Sequence, residues 1–281
     1  MSDVAIANPT HRHMTTRQRV MFLIVGWLIV MMPFLFWWNS WFGRSLSDKQ
    51  LDEYLHDQSK PRHIQHALVQ IGQRMGRHDS AVTRWYPQLV TLSSHSVEEI
   101  RNTDAWVMGQ DTSGAGFHEA LLKMLNDPSL LVRGNAALSL VRFADTSGRP
   151  EIVALLQPAN VLSAQAGTVT DTSTAGRAIH QNGVITKLSA TGNSVEVRSP
   201  ISGRIREVRA RQGQSVSSGD VVAVVDPDAE QVWEALRALY LVGQPEDLAA
   251  IRPYERELPD IPDRVRQQAV ASERAISHRA K

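Results

Sequence analysis

A chain of 281 residues, 42% of them hydrophobic and 21% charged, has the balance of a folded protein with room for about two domains. Its net charge of +1 gives no basic footprint for nucleic acid, which is excluded as a partner. The absence of cysteine removes disulfides, thiolate nucleophiles, thiolate metal sites and covalent c-type haem attachment, and it fits an oxidising compartment.

Residues 1–18 form a short polar arm, followed by an uncharged run from Val20 to Trp38 that continues with polar interruptions to Phe42. About 20 apolar residues match a hydrocarbon core, so 19–42 is expected to be a single transmembrane helix, with Trp37, Trp38 and Trp41 at one membrane interface. The run exceeds the usual signal-peptide core and no small-residue cleavage pattern follows it, which favours an uncleaved anchor. Arg12, Arg17 and Arg19 precede it, whereas Arg44 and Lys49 behind it are diluted by Asp48, Asp52 and Glu53. Lys/Arg bias therefore sets the N-terminus in the cytoplasm. In this reading the protein sits in the inner membrane, in contact with the lipid bilayer, and the bulk of the chain is periplasmic.

From residue 43 to 159 the periodicity is helical and it repeats. Ile64-Gln65 with Leu68, Ile100-Arg101 with Asp104 and Ala105, and Val132-Arg133 with Ala136 and Ala137 share one frame, stepping by 36 and then 32 positions. An amphipathic stretch precedes each: Leu51 to Leu55, Trp85 to Leu92 and Phe117 to Leu125, with Ile152 to Leu156 opening a fourth. The period and the Asp-Pro-x-x-x-Val-Arg-x-x-Ala-Ala form of Asp127 to Ala137 resemble HEAT repeats, which implies helix pairs stacked through their apolar faces. Placing the frame at Ala235 makes the next step 102 positions, and the one after it, to Arg266, a normal 31. Something of about 70 residues is thus inserted after the first helix of the fourth repeat, and the repeats resume over 228–276 before a polar tail at 277–281.

The insertion, 160–227, reads as β structure. Val195 to Val197, Arg204 to Val208 and Val221 to Val225 are β-branched runs separated by turn chemistry at Ser199-Pro200, Ser202-Gly203, Gln212-Gly213 and Ser218-Gly219-Asp220. Ala166 to Val169 and Gly183 to Thr186 supply strands of the other half, with a loop over Asp171 to Gly176. This spacing resembles the biotinyl/lipoyl barrel. In carrier members of that family a modified lysine stands on a hairpin after the last strand. The corresponding stretch here, Asp226-Pro227-Asp228-Ala229-Glu230, has no lysine, so the resemblance is to the unmodified barrel of membrane-fusion (HlyD-type) adaptor proteins and implies no cofactor. The adaptors' long coiled-coil hairpin and neighbouring β-barrel domains are missing. The expected fold class is α+β multidomain: a transmembrane helix, an α-solenoid and an inserted all-β barrel.

Sequence offers little chemistry. His56, His63 and His66 lie at helical offsets that could present three imidazoles to a metal, against the plainer reading of solvated histidines. Acidic pairs such as Glu98 and Glu99 or Asp260 and Asp263 fit caps and turns, and no phosphate loop, nucleophile elbow or zinc-protease string is present. No catalytic residue, cofactor site or metal site is assigned. Arg204, Arg206, Arg209 and Arg211 form a row in which 204 and 206 share a strand face, a candidate surface for an acidic partner or a charged, solvated strand face. Trp85, Trp106 and Trp233 are expected in helix packing. The function expected is a scaffold or accessory subunit docking on an integral membrane complex, a transporter or a respiratory assembly. The alternatives are an adaptor-like export or efflux component and, because the helical repeats also resemble those of bilin lyases, an enzyme of that kind, which the orientation signal disfavours.

Overall fold

The computed structural model describes residues 16–41, 45–190, 192–257 and 261–281, and in the first helix it leaves the side chains of 18, 19, 30 and 33–41 undescribed. The chain divides into two compact units, 1–49 and 50–281.

In the first unit the apolar run forms one helix, α1 (Thr16–Trp41). Its large side chains from Val20 to Met32, among them Phe22, Leu23, Trp27 and Ile29, are exposed. The side chains of Trp37, Trp38 and Trp41 lie outside the described residues, so the apolar run is described at side-chain level only as far as Met32, short of the ~20 residues that a hydrocarbon core needs. Among the described residues no helix is long and apolar enough to cross a membrane.

The second unit is α+β. Its helices are α2 (Asp48–Leu55, beginning just before it), α3 (Pro61–Met75), α4 (Tyr86–Leu92, reached through a 3-10 turn over Ser80–Trp85), α5 (Glu98–Met108), α6 (Phe117–Met124), α7 (Leu130–Arg142) and α8 (Arg149–Ala154). After the strands come α9 (Ala229–Val242), α10 (Leu248–Ile251) and α11 (Asp263–Arg279). The second helix of each repeat packs on the next: α3 on α5, α5 on α7, α7 on α9 and α9 on α11. Stacked in this way, each helix buries a stripe against its neighbours: Ile64, Leu68 and Ile71 on α3, Ile100 and Met108 on α5, and Val132, Ala136 and Leu140 on α7.

The arginines of the repeat frame account for the loops between the helices. Arg101 donates from Nη1 to the His95 carbonyl at 2.7 Å and reaches forward with two bonds to Asp127, at 2.6 and 3.0 Å. Arg133 repeats the move, with Nη1 on the Asp127 carbonyl at 2.8 Å and Nε on Glu151 at 2.7 Å. Each side chain thus satisfies a carbonyl of its own inter-helix loop and ties that loop to the next repeat. Carboxylates two residues before a serine fold three successive inter-helix loops into Asx turns, as Asp111 accepts from Ser113 N, Asp127 from Ser129 N and Asp145 from Ser147 N.

The barrel comprises β1 (Ala159–Leu162), β2 (Gly167–Thr172), β3 (Ala178–Ile179), β4 (Val184–Ala190), β5 (Asn193–Arg198), β6 (Gly203–Val208), β7 (Ser215–Val216) and β8 (Val221–Pro227). Two antiparallel sheets, in orders β1-β8-β6-β3 and β5-β4-β2-β7, enclose one core that includes Val161, Val169, Leu188, Val197, Ile205 and Val225. Gly203 permits the closest approach in the first sheet: a Cβ there would lie 1.8 Å from the Asp226 carbonyl oxygen. The first and last strands are neighbours, Ala159 facing Val225, so the chain leaves the barrel beside the point where it enters.

That adjacency lets the helical core continue across the insertion. Ile152, Leu155 and Leu156 around α8 share one cluster with Val232, Leu236 and Leu239 of α9, and Gln231 Nε2 donates to the Leu155 carbonyl at 2.9 Å. Leu130 and Leu131 at the start of α7 pack against both this cluster and the barrel core.

Three details differ from the sequence reading. Asp226 to Glu230 is not a hairpin but the passage from β8 into α9, with the Asp228 side chain capping the helix by accepting from Gln231 N at 2.8 Å. The stretch expected as a loop from Asp171 begins as strand through Thr172, because a register shift between Val169 and Asp171 lets β2 keep pairing with β4. Finally, α11 runs on to Arg279 where a polar tail was expected, since the Arg279 guanidinium donates to the Tyr240 and Gly243 carbonyls at 2.7 and 3.0 Å.

Candidate functional site

Strand β6 sets out the arginine row. Ile205 points into the barrel core and is buried, which turns Arg204 and Arg206 outward, both exposed, by the two-residue period of the strand. Arg209 and Arg211 lie beyond the strand end, in the connection to β7, so the row divides into a strand pair and a loop pair.

The strand pair borders a cleft of about 520 Å³ where the barrel meets the segment before α11, lined also by Asp226, Asp228, Tyr254 and Ile261. Arg206 pairs with Asp226 across β6 and β8 at 2.5 Å, and Arg204 donates to the Gly176 carbonyl. Tyr254 donates its hydroxyl to the Leu156 carbonyl at 2.7 Å, fixing the cleft wall to the end of the first helix run. Burial, helped by the Asp226 charge and opposed by Arg206, pushes the Tyr254 phenol up to about 12, so it stays a neutral donor at any physiological pH. In the loop pair, Arg209 is paired with Glu207, and Arg211 is exposed while its backbone N–H donates to Gln214 Oε1 at 3.0 Å. The chemistry available here is recognition: two guanidinium donors at the mouth of an apolar-walled cleft, Arg206 in a half-exposed ion pair and Arg204 on a backbone carbonyl, contacts that are cheap to exchange for a carboxylate.

The histidines do not converge. His63 Nδ1 lies 2.8 Å from Asp57 Oδ2 with its ring stacked on Tyr54, His66 Nε2 lies 2.8 Å from Gln70 Nε2, and His56 Nδ1 lies 2.8 Å from the Asp52 carbonyl. Among the described residues no group of three or more His, Cys, Asp or Glu is placed to hold a metal ion. Of the acidic neighbours, Glu98 accepts from Ser129 Oγ at 2.8 Å and from Gln181 Nε2 at 3.1 Å, while Glu99 accepts from Asn182 Nδ2 at 2.9 Å, so the pair joins α5 to the barrel's β3–β4 loop. Asp260 lies outside the described residues.

The tryptophans divide. Trp85 is buried and its indole N–H donates to Asp52 at 2.5 Å, Trp233 lies half-buried beneath Arg237 and Arg264, and Trp106 is exposed on α5. Sequence reasoning missed Tyr254 and Ile261 in the cleft, because they come from a short 3-10 turn (Arg252–Glu255) and the chain after it, between α10 and α11, where no period marks a face.

Residues 159–225 match the biotin/lipoyl family profile, described as biotin-requiring enzyme, and residues 119–147 match that of the HEAT repeat. No curated protein matches the chain. Among solved structures, urea carboxylase of Kluyveromyces lactis aligns with 25% of this chain and 6% of its own at 20% identity and a TM-score of 0.24. A single-chain, multi-domain long-chain acyl-CoA carboxylase aligns with 50% of this chain and 14% of its own, at 19% identity and a TM-score of 0.25. An engineered protein aligns over 83% of this chain and 80% of its own at 15% identity and a TM-score of 0.41. The chain therefore spans only a small part of the two carboxylases. The biotin/lipoyl domain is a carrier module found in carboxylases and is not itself catalytic. The chain thus contains a HEAT repeat and a biotin/lipoyl-type barrel, joined in one compact unit.

Proposed function

We propose that this protein is a membrane-anchored extracytoplasmic scaffold, an accessory subunit that docks on an integral membrane complex, a transporter or a respiratory assembly, and performs no catalysis. Its anchor is α1, and its N-terminus is cytoplasmic. The observation that carries the reading is the ring of large apolar side chains from Val20 to Met32, exposed on a single helix. Water is a poor solvent for such a surface, at about 25 cal/mol per Å², and lipid or a membrane partner is the natural cover. The undescribed stretch beyond Met32 continues the apolar sequence to Trp38, which brings the run to bilayer length. The barrel serves as a docking module of the kind seen in membrane-fusion adaptors, with Arg204 and Arg206 as the contacts to acidic groups on the partner and Arg209 and Arg211 extending them.

Topology tests the first half. Alkaline phosphatase fused after Lys281 should be active, and activity of a cytoplasm-only reporter at the same place would overturn both the compartment and the scaffold. For the second half, Arg204→Ser with Arg206→Ser should lower recovery of the membrane partner in mild-detergent purification while leaving the melting temperature unchanged, because exposed pairs add little stability. Equal recovery would reduce the row to a solvated strand face.

A further inference from the structure

We infer that the seam between α7 and α9 is a docking groove for an amphipathic helix of a partner protein, lying parallel to α7, basic in its first turn and acidic in its last. This goes beyond the barrel's role, since the groove shares no lining residue with the arginine cleft.

The groove arises from the insertion. Where successive repeats are continuous in sequence, side chains lace the second helices together: Asn135 to Asn102, Ser139 to the Ala105 carbonyl and Arg142 to Gln110 between α7 and α5, then Ser272 to the Leu236 carbonyl between α11 and α9. Between α7 and α9 the barrel intervenes in sequence, and two hollows of about 570 and 190 Å³ follow the seam, joined through Leu138 and Glu234, which line both. The apolar lining of the larger hollow is Leu138 and Val141 from α7 and Ala238 and Leu241 from α9, and its far side reaches Gln268 and Ala271 of α11. Leu241 is 61% exposed and Tyr240 43%, so the groove leaves apolar side chains uncovered at its end.

Length and charge choose the occupant. From Leu131 to Arg142 the groove extends about 16 Å at 1.5 Å per residue, three turns of helix. An apolar floor offers no partners to an extended backbone, whereas a helix satisfies its own N–H and C=O groups and presents side chains at i, i+3, i+4 and i+7. The residues lining the seam rise in number together along α7 and α9, so the two helices run the same way. Glu230 and Glu234 line the beginning of the groove, and Arg142 and Arg237 line its end. Glu234 and Arg237 also meet each other at 3.3 Å, and Glu230 pairs with Arg264, which is not in the lining. A helix with its positive N-terminal end at the glutamates and its negative C-terminal end at the arginines complements that polarity.

The test uses the full chain in phosphatidylcholine nanodiscs, with empty discs as blank. The probe is a stapled helical peptide of about three turns, with leucines at i, i+3, i+4 and i+7, lysines in the first turn and glutamates in the last. A second peptide has the charges exchanged. Fluorescence anisotropy should show the first binding at least tenfold more tightly. Arg142→Glu should erase that preference, and Leu241→Asp should weaken binding about tenfold; both residues are exposed, and circular dichroism verifies folding. Arg204→Ser with Arg206→Ser should leave peptide binding unchanged, which separates this groove from the barrel's docking role. Equal affinity of the two peptides, failure of both to bind, or indifference to both groove substitutions overturns the proposal.

Discussion

The helical array and the barrel solve the same problem, burying apolar side chains in a chain without disulfides, by opposite means. In the array each contact is made between neighbours in sequence or one repeat apart, and the links recur: Arg101 to Asp127, then Arg133 to Glu151. In the barrel the closing contact joins the two ends of the segment, β1 with β8, around a single core. An array tolerates interruption because each face needs only its neighbour. A barrel cannot lose a strand and remain closed, but its first and last strands lie side by side, so it can be inserted without separating the helices on either side of it. The continuous cluster from Ile152 through Leu239 is the result.

The difference is sharpest at the places where each part has no slack. In the barrel that place is Gly203. A methyl group there would stand 1.8 Å from a backbone oxygen of β8, a clash that only separation of β6 from β8 relieves. Gly203→Ala should cost about 4 kcal/mol or more of barrel stability. In limited proteolysis the 160–227 segment should be cut first while the helical circular dichroism persists. Simultaneous loss of both signals would mean that the barrel and the array are one folding unit and that the contrast drawn here is only topological.

In the array the corresponding place is the Arg101–Asp127 pair, whose side chains are 12% and 7% exposed. The hydrogen bond to Asp127 holds the Arg101 guanidinium above its ordinary range. Burial pushes the Asp127 carboxyl up, but the bonds from Arg101 and Ser129 N outweigh it and leave the group below its ordinary range. Removing the guanidinium strands a nearly buried carboxylate, so Arg101→Ala should cost about 3 kcal/mol. A depressed carboxyl stabilises above its unfolded value of about 3.9 and loses that contribution as pH falls through the folded value. Urea midpoints of the wild type should therefore drop on acidification below about pH 4, and those of Arg101→Ala should drop less. Parallel acid limbs would show that the pair is not what links the repeats.

Much of this was legible in the sequence, for identifiable reasons. Repetition revealed the helices, since the Ile-Gln, Ile-Arg and Val-Arg positions 64–65, 100–101 and 132–133 all open buried stripes. Turn chemistry revealed the barrel strands β5, β6 and β8. What stayed hidden depends on contacts between segments remote in sequence: the two-residue strands β3 and β7, which exist only through their partners β6 and β2, the helical end at Arg279, fixed by carbonyls of α9, and the cleft wall at Tyr254. The arginine row was legible as an exposed face, but the pairing of Arg206 with Asp226 was not, because the register of β6 on β8 decides that partner.

One residue was visible in the repeat frame and yet breaks its rule. Asp104 occupies the place of Leu68 and Ala136 and, like them, is 0% exposed, with neither carboxyl oxygen hydrogen-bonded to any described residue. Burial alone pushes its carboxyl well above the ordinary range, so the folded chain carries it protonated where the unfolded chain would ionise it. The sign is opposite to that of Asp127. The folded state binds more protons, so stability falls as pH rises from the unfolded value of about 3.9 toward the folded one. Asp104→Ala, which restores the residue type of the next repeat, should raise stability at neutral pH by about 1 to 2 kcal/mol through removal of an unsatisfied buried polar group. Asp104→Asn keeps the polar burden but cannot ionise, so its stability relative to wild type should improve as pH rises above the unfolded value of about 3.9. Urea midpoints across that range read both effects. If Ala destabilises and the Asn difference is flat, Asp104 is satisfied in solution, and the array has no internal acid of its own to set against the Asp127 clamp.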